Sequence, residues 1–183
     1  MRLIFDTETT GLKFCRLVQI AGILVDRDWK EQASFSLMIK PEGFEIPKEA
    51  TEIHRISTER ATAYGAPLRT ALSVFNNLII GAEEVWAFNA AFDERAINSE
   101  FDFIGQVSRV KENKPICAML ACQGILQLPN PRGSGYKWPK LAEAYSFFFD
   151  GATIEDAHDA LADVRATVKV IQAIENWREA KDG

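Results

Sequence analysis

Two carboxylates, two residues apart at the end of an apolar run, are the first chemistry this chain offers. In Leu3-Ile4-Phe5-Asp6-Thr7-Glu8-Thr9-Thr10-Gly11-Leu12 the apolar start reads as a strand that Thr9, Thr10 and Gly11 then end. Strand side chains alternate between faces, so Asp6 and Glu8 share one side. Two acids held together repel and resist desolvation, and a bound divalent cation relieves both costs. The pair therefore reads as half of a metal site. Alone, such a pair at a strand end is more often turn or surface chemistry.

Two later patches supply the missing groups. In Ala87-Phe88-Asn89-Ala90-Ala91-Phe92-Asp93 a strand gives way to a helix, with Asn89 placed as N-cap and Asp93 in an early turn. The helix macrodipole favours an acid there even without a function. In Ala157-His158-Asp159-Ala160-Leu161-Ala162-Asp163 the spacing of His158 and Asp163 does not suit one continuous helix, because five helical residues turn through about 500°. The two converge if His158 lies just before the helix, Asp159 caps it and Asp163 sits in an early turn. Asp6, Glu8, Asp93 and Asp163 with one imidazole are the equipment of two-metal phosphodiester cleavage. There, two cations about 4 Å apart hold the attacking water and the leaving oxygen in line. Hard oxygen donors favour magnesium or manganese, and the imidazole of His158 can take the proton from the water.

The elements that must position these groups follow from periodicity. Leu17 to Asp26 is apolar and rich in Val and Ile, a largely buried strand, and Ala33 to Lys40 alternates as a second. The charged link Asp26 to Glu31 fits a hairpin between them, so the opening three strands are antiparallel. Pro47 to His54 reads as a short helix with Pro47 in its first turn, and Thr58 to Ala61 as a brief turn. From Pro67, Leu68, Ala71, Leu72, Phe75, Leu78 and Ile79 recur at helical spacing, with Gly81 as the stop. A strand over Val85 to Phe88 and a helix over Ala90 to about Phe101 come next. Then follow a strand over Lys114 to Cys117, a helix over Ala118 to Gln127, and a helix over Trp138 to Ser146. A last helix runs from about Asp159 to Glu179, with Leu161, Val164, Val168, Ile171 and Ile174 as its buried stripe. Strands first, then strands alternating with helices, give an α/β fold: a mixed sheet flanked by helices.

The bulk numbers agree with one domain over residues 1–183 and a substantial core: the chain is 47% hydrophobic and 26% charged. No apolar run is long enough to cross a membrane. The opening residues lack a signal-peptide h-region. Three cysteines without a C-x-x-C read as free thiols in a reducing cytosol. The net charge of −5 argues against a broad nucleic-acid-binding surface, but not against an acidic cleft neutralised by cations.

The motifs Phe5-Asp6-Thr7-Glu8-Thr9-Thr10-Gly11-Leu12, Asn89-Ala90-Ala91-Phe92-Asp93 and His158-Asp159-Ala160-Leu161-Ala162-Asp163 resemble, in order, the three exonuclease motifs of the DEDDh 3′–5′ exonucleases. Ile46-Pro47 through Ile53-His54-Arg55-Ile56 and Trp138-Pro139-Lys140-Leu141-Ala142-Glu143-Ala144-Tyr145 resemble that family's intervening segments. The resemblance implies a ribonuclease-H-like fold with a five-stranded mixed sheet. It implies metals on Asp6, Glu8, Asp93 and Asp163, His158 as general base, and release of nucleoside 5′-monophosphates from 3′ ends. It turns Thr7, Thr9, Leu12, His54 and Asn89 toward the substrate. Leu12 either wedges against bases or is a buried turn residue. His54 either approaches the terminal sugar or phosphate or is a hydrogen-bonded loop histidine.

Arg132, Tyr136, Lys137, Trp138 and Lys140 either offer cations and stacking surfaces to a single strand or form a solvated loop with Trp138 plugging the core. Phe88 stands where many proofreading members have His, and Cys117-Ala118 where many have Asp-Thr or Asp-Ser, which leaves the subfamily open. DNA 3′ ends are the expected substrate and RNA ends the alternative. A stand-alone enzyme is expected over one borrowed by a polymerase or other replication partner. A non-catalytic adaptor and a small-phosphoester phosphatase are the rival readings.

Overall fold

A computed structural model describes residues 1–13 and 15–182. The strands are β1 (Arg2–Thr9), β2 (Leu17–Val25), β3 (Glu31–Met38), β4 (Glu84–Ala87) and β5 (Ile116–Cys117). The helices are α1 (Lys48–His54), α2 (Thr58–Tyr64), α3 (Leu68–Ile80), α4 (Ala90–Phe103), α5 (Val110–Asn113), α6 (Ala118–Leu126), α7 (Leu141–Phe148) and α8 (Ala160–Asp182). The strands form one sheet in the order β3-β2-β1-β4-β5. β1, β2 and β3 are mutually antiparallel neighbours, and β4 and β5 join β1 in parallel. This is the expected mixed five-stranded sheet. At Gly22 the Phe35 ring crosses close over β2: a Cβ there would come within 2.6 Å of that ring, which would have to shift.

β1 lies at the centre and separates two apolar layers. Leu3 and Phe5 point toward α3 and α4, where the Phe5 and Phe75 rings meet edge to face at 5.1 Å. Ile4 points the other way, toward Trp86 and toward Val164, Ile171 and Ile174 of α8. Burial of each such large apolar side chain stabilises by about 1.5–3 kcal/mol, so α8 is firmly seated on the sheet. The period of two then decides the chemistry. Asp6 and Glu8 continue the row of Ile4 on the α8 side, and Thr7 continues the row of Phe5 on the α4 side. The stripe of α8 runs through Val164, Thr167, Ile171 and Ile174, while Leu161 and Val168 flank it half-buried.

Four boundaries differ from the sequence reading for local reasons. The segment at Thr58 is a full helix, because Ser57 caps it by accepting the Arg60 amide at 3.2 Å. The expected strand from Lys114 shrinks to Ile116–Cys117, because Lys114 takes a left-handed conformation (φ 42°) to close α5. Helix α7 starts at Leu141 and not at Trp138. The residue before a proline disfavours helical geometry, and the Glu143 carboxylate accepts the Lys140 amide at 2.8 Å to start the helix there. Pro47 precedes α1 as its N-cap and is not within its first turn. The three cysteines are free. Among the described residues no helix is long and apolar enough to cross a membrane.

Candidate active site

The carboxylates gather at the C-terminal ends of β1 and β4, where open α/β sheets bind ligands. Asp6 and Glu8 come from β1, just before its pairing with β2 shifts register between Glu8 and Thr9. Asp93 comes from the first turn of α4 on one face, and Asp163 from the first turn of α8 on the other. Asp93 is 3% exposed, and the Thr7 hydroxyl donates to its Oδ1 at 2.7 Å. The Thr7 side chain is thus turned to Asp93. Glu8, His158 and Asp163 each offer an atom to a cluster spanning no more than 4.8 Å.

The start of α8 explains how a histidine and an acid five residues apart converge. His158 takes a left-handed conformation (φ 69°) just ahead of the helix, and its amide donates to the Asp163 carboxylate at 3.3–3.4 Å. Asp159 is the N-cap: its Oδ1 accepts the Leu161 and Ala162 amides at 3.1 Å. Gln19, opposite Glu8 on β2, ties this turn to the sheet. Its Nε2 donates to Ser36 Oγ at 3.0 Å and to Asp159 Oδ2 at 3.3 Å, and its Oε1 accepts the Ala160 amide at 3.3 Å. In the sequence Gln19 is one position within the buried strand from Leu17 to Asp26. The available signal was a single amide side chain in an otherwise apolar strand.

Burial and mutual repulsion make this cluster costly to ionise without a cation. Burial, followed by the Asp163 and Asp93 charges, pushes Glu8 from an ordinary 4.5 up to about 8. Burial likewise lifts Asp93 to about 7 against the hydrogen bonds from Thr7. Asp6 is raised by burial and then by Asp93, Glu8 and Asp163. Asp163 is raised by burial, with the His158 imidazole opposing. Hard oxygen donors packed against their own repulsion suit a hard divalent cation.

A stability prediction follows with a definite sign. The folded state holds these protons more tightly than the unfolded chain does. Metal-free protein therefore loses stability as pH rises from the ordinary carboxyl value of 4.5 through about 8. Thermal unfolding in chelator should give a lower midpoint at about pH 8.5 than at about pH 5.5, and added magnesium should raise it more at the higher pH. Equal shifts at both pH values would contradict the cluster as a cation site.

Beside the acids lies a cleft of about 360 Å³, bordered by Thr7, Thr9, Leu12, Ile53, His54 and Phe92. The Thr9 hydroxyl donates to the Gly11 carbonyl at 2.8 Å and so shapes the loop that carries Leu12. Leu12 is 79% exposed, which rules out the buried-turn alternative. His54 is 5% exposed. Its Nδ1 accepts the Ile56 amide at 3.1 Å, so the neutral ring carries its proton on Nε2, which lies near the Thr9 carbonyl but makes no well-formed hydrogen bond among the described residues. Burial holds the His54 pKa below its ordinary value. Asn89 occupies the N-cap position of α4 but is exposed and makes no side-chain cap bond.

Trp138 is 67% exposed, so it does not plug the core. Its loop is pinned by Gln123, which donates to the Tyr136 carbonyl at 2.9 Å, and by the Lys137–Glu143 ion pair. None of Arg132, Tyr136, Lys137, Trp138 or Lys140 borders the cleft beside the acids.

Residues 3–171 match the profile of the RNase T family, described as exonuclease. No curated protein sequence matches the chain. Escherichia coli exonuclease I bound to a dT13 oligonucleotide superimposes with a TM-score of 0.77 at 20% identity, over 95% of this chain and 40% of that one. The zinc-bound form of the E. coli exonuclease I complex with single-stranded DNA gives 0.78 at 20% identity, over 96% and 40%. Apo exonuclease I gives 0.77 at 19% identity, over 96% and 42%. The chain thus spans about two-fifths of the length of these structures. The shared fold is ribonuclease-H-like.

Proposed function

Because this chain belongs to the exonuclease family, in its DEDDh branch, we propose that it is a 3′–5′ exonuclease. It removes nucleoside 5′-monophosphates one at a time from the 3′ end of single-stranded DNA. Two divalent cations, magnesium or manganese, would be held by Asp6, Glu8, Asp93 and Asp163. When bound, they would polarise the phosphodiester and favour ionisation of the attacking water. The observation that carries the reading is the convergence of four carboxylates and His158 at one end of the sheet, beside a cleft sized for a nucleotide.

The chain's own residues divide the remaining work. His158, on an exposed turn beside Glu8 and Asp163, takes the proton of the attacking water. Thr7 orients Asp93, and Gln19 with Asp159 holds the His158 turn against the sheet. The Nε2–H of His54, at the wall of the cleft, donates to the oxygen-rich 3′-terminal sugar or its phosphate, and Leu12 meets the terminal base. Thr9 contributes by shaping the loop that presents Leu12. Asn89, exposed at the start of α4, faces the same end of the sheet and is available to the substrate.

DNA is preferred over RNA on the likeness to exonuclease I, whose solved complexes hold DNA oligonucleotides. Turnover of the p-nitrophenyl ester of thymidine 5′-monophosphate against p-nitrophenyl phosphate tests the reaction class. The proposal expects hydrolysis of the diester and little of the monoester. The reverse would make the protein a phosphatase.

A further inference from the structure

The nucleotide cleft does not end at Leu12. On its far side lies a second cleft of about 580 Å³, bordered by Leu12, Lys13, Cys15, Arg95 and Ser99. The exposed Leu12 side chain borders both. So does the pair formed by Phe92 and Arg95, since Phe92 lines the first cleft, Arg95 lines the second, and the Arg95 guanidinium lies 5.4 Å from the Phe92 ring centre.

Helix α4 extends this second cleft into a track. Asp93, Ala96, Ile97, Glu100 and Phe101 form its buried face. Phe92, Arg95, Ser99 and Phe103 fall within about 80° of one another on the outer face, along about 16 Å of helix. The far end of the track is rigidly built. Phe103 is 64% exposed, yet its ring stacks on the Arg16 guanidinium at 4.4 Å, and Phe44 stacks on the same guanidinium at 4.6 Å. Arg16 is held by the buried Glu100 at 2.7 Å, and Glu100 also accepts the Leu17 amide at 2.9 Å. Neither Lys13 nor Arg95 is in an ion pair among the described residues. On a chain with a net charge of −5 they are cations left free beside an acidic site.

Resting on the exonuclease reading, we propose that this second cleft and the outer face of α4 bind the nucleotides upstream of the scissile bond. Lys13 and Arg95 take the phosphates, and the Phe92 and Phe103 rings take unpaired bases. A positive groove interleaved with aromatic rings is what single strands require, because their base faces are open for stacking, whereas a duplex hides them. The track therefore makes the enzyme prefer single-stranded ends of several nucleotides over mononucleotide esters.

The test compares the unaltered protein with a Lys13→Ala/Arg95→Ala variant on two substrates. One is a thymidine decanucleotide. The other is the p-nitrophenyl ester of thymidine 5′-monophosphate, which has no upstream nucleotide. Both side chains are exposed, so the variant keeps the fold. The expected result is a KM for the decanucleotide raised about tenfold, with kcat and the ester kinetics nearly unchanged. The salt dependence of the decanucleotide KM should flatten by about 0.7 log unit per decade of salt for each cation removed. Equal effects on the two substrates, or none on either, would overturn the track. Failure of the unaltered protein to cleave either substrate would overturn the exonuclease reading beneath it.

Discussion

Asp6→Asn should abolish cleavage of a DNA 3′ end while making the metal-free protein more stable. Asp6 sits where Asp93, Glu8 and Asp163 all repel its charge, and burial adds to that cost. Replacing it with an uncharged isostere relieves the repulsion, so the unfolding midpoint in chelator at neutral pH rises. The same change removes a hard anionic ligand from the centre of the cluster. Loss of one group that stabilises charge in the transition state costs on the order of 10³-fold in rate, about 4 kcal/mol, and more if a cation is lost with it. Asp93→Ala and Asp163→Ala should lose activity for the same reason. Calorimetric titration with magnesium should show weaker binding in all three. A variant that kept full activity would remove its residue from the site. One that lost activity together with stability would point to a folding defect.

His158→Asn should lower kcat by about 10²- to 10⁴-fold, the usual contribution of a general base, while leaving magnesium affinity close to that of the unaltered protein. Asparagine suits this test better than alanine. His158 has φ 69°, a left-handed conformation that asparagine tolerates and alanine strains. The amide of residue 158 can then go on donating to Asp163, so the start of α8 keeps its shape. The His158 imidazole also lies in the same 4.8 Å cluster as Glu8 and Asp163, which makes the affinity measurement decisive. Lost rate with retained affinity assigns a proton-transfer role. Parallel loss of both assigns a metal ligand.

The groups that carry these predictions were legible in the sequence because each is tied to a local pattern. Alternation along β1 put Asp6 and Glu8 on one side, and the strand-to-helix junction at Asn89 put Asp93 in a first turn. The awkward spacing of His158 and Asp163 forced a break before α8, which the structure supplies at His158 and Asp159. What was not legible depends on partners distant in sequence. Thr7 holds Asp93 across 86 residues and Gln19 holds Asp159 across 140, and neither bond leaves a local trace. Of the two readings of Trp138, plugging the core fails because Pro139 keeps it out of α7 and it stands in solvent. The outer face of α4 was invisible as a feature because its residues join Leu12 and Lys13 only through the folded sheet.

This chain is expected to shorten single-stranded DNA from its 3′ end in a cation-dependent reaction at Asp6. Electrophoresis of a 5′-labelled single-stranded DNA oligonucleotide incubated with magnesium tests it most directly, alongside the same oligonucleotide labelled at its 3′ end. The expected result is a descending ladder from the 5′-labelled strand and immediate release of labelled mononucleotide from the 3′-labelled one. Both should be absent in chelator and in Asp6→Asn. Mononucleotide released first from the 5′-labelled strand, internal cuts, or cleavage that persists in chelator would contradict it.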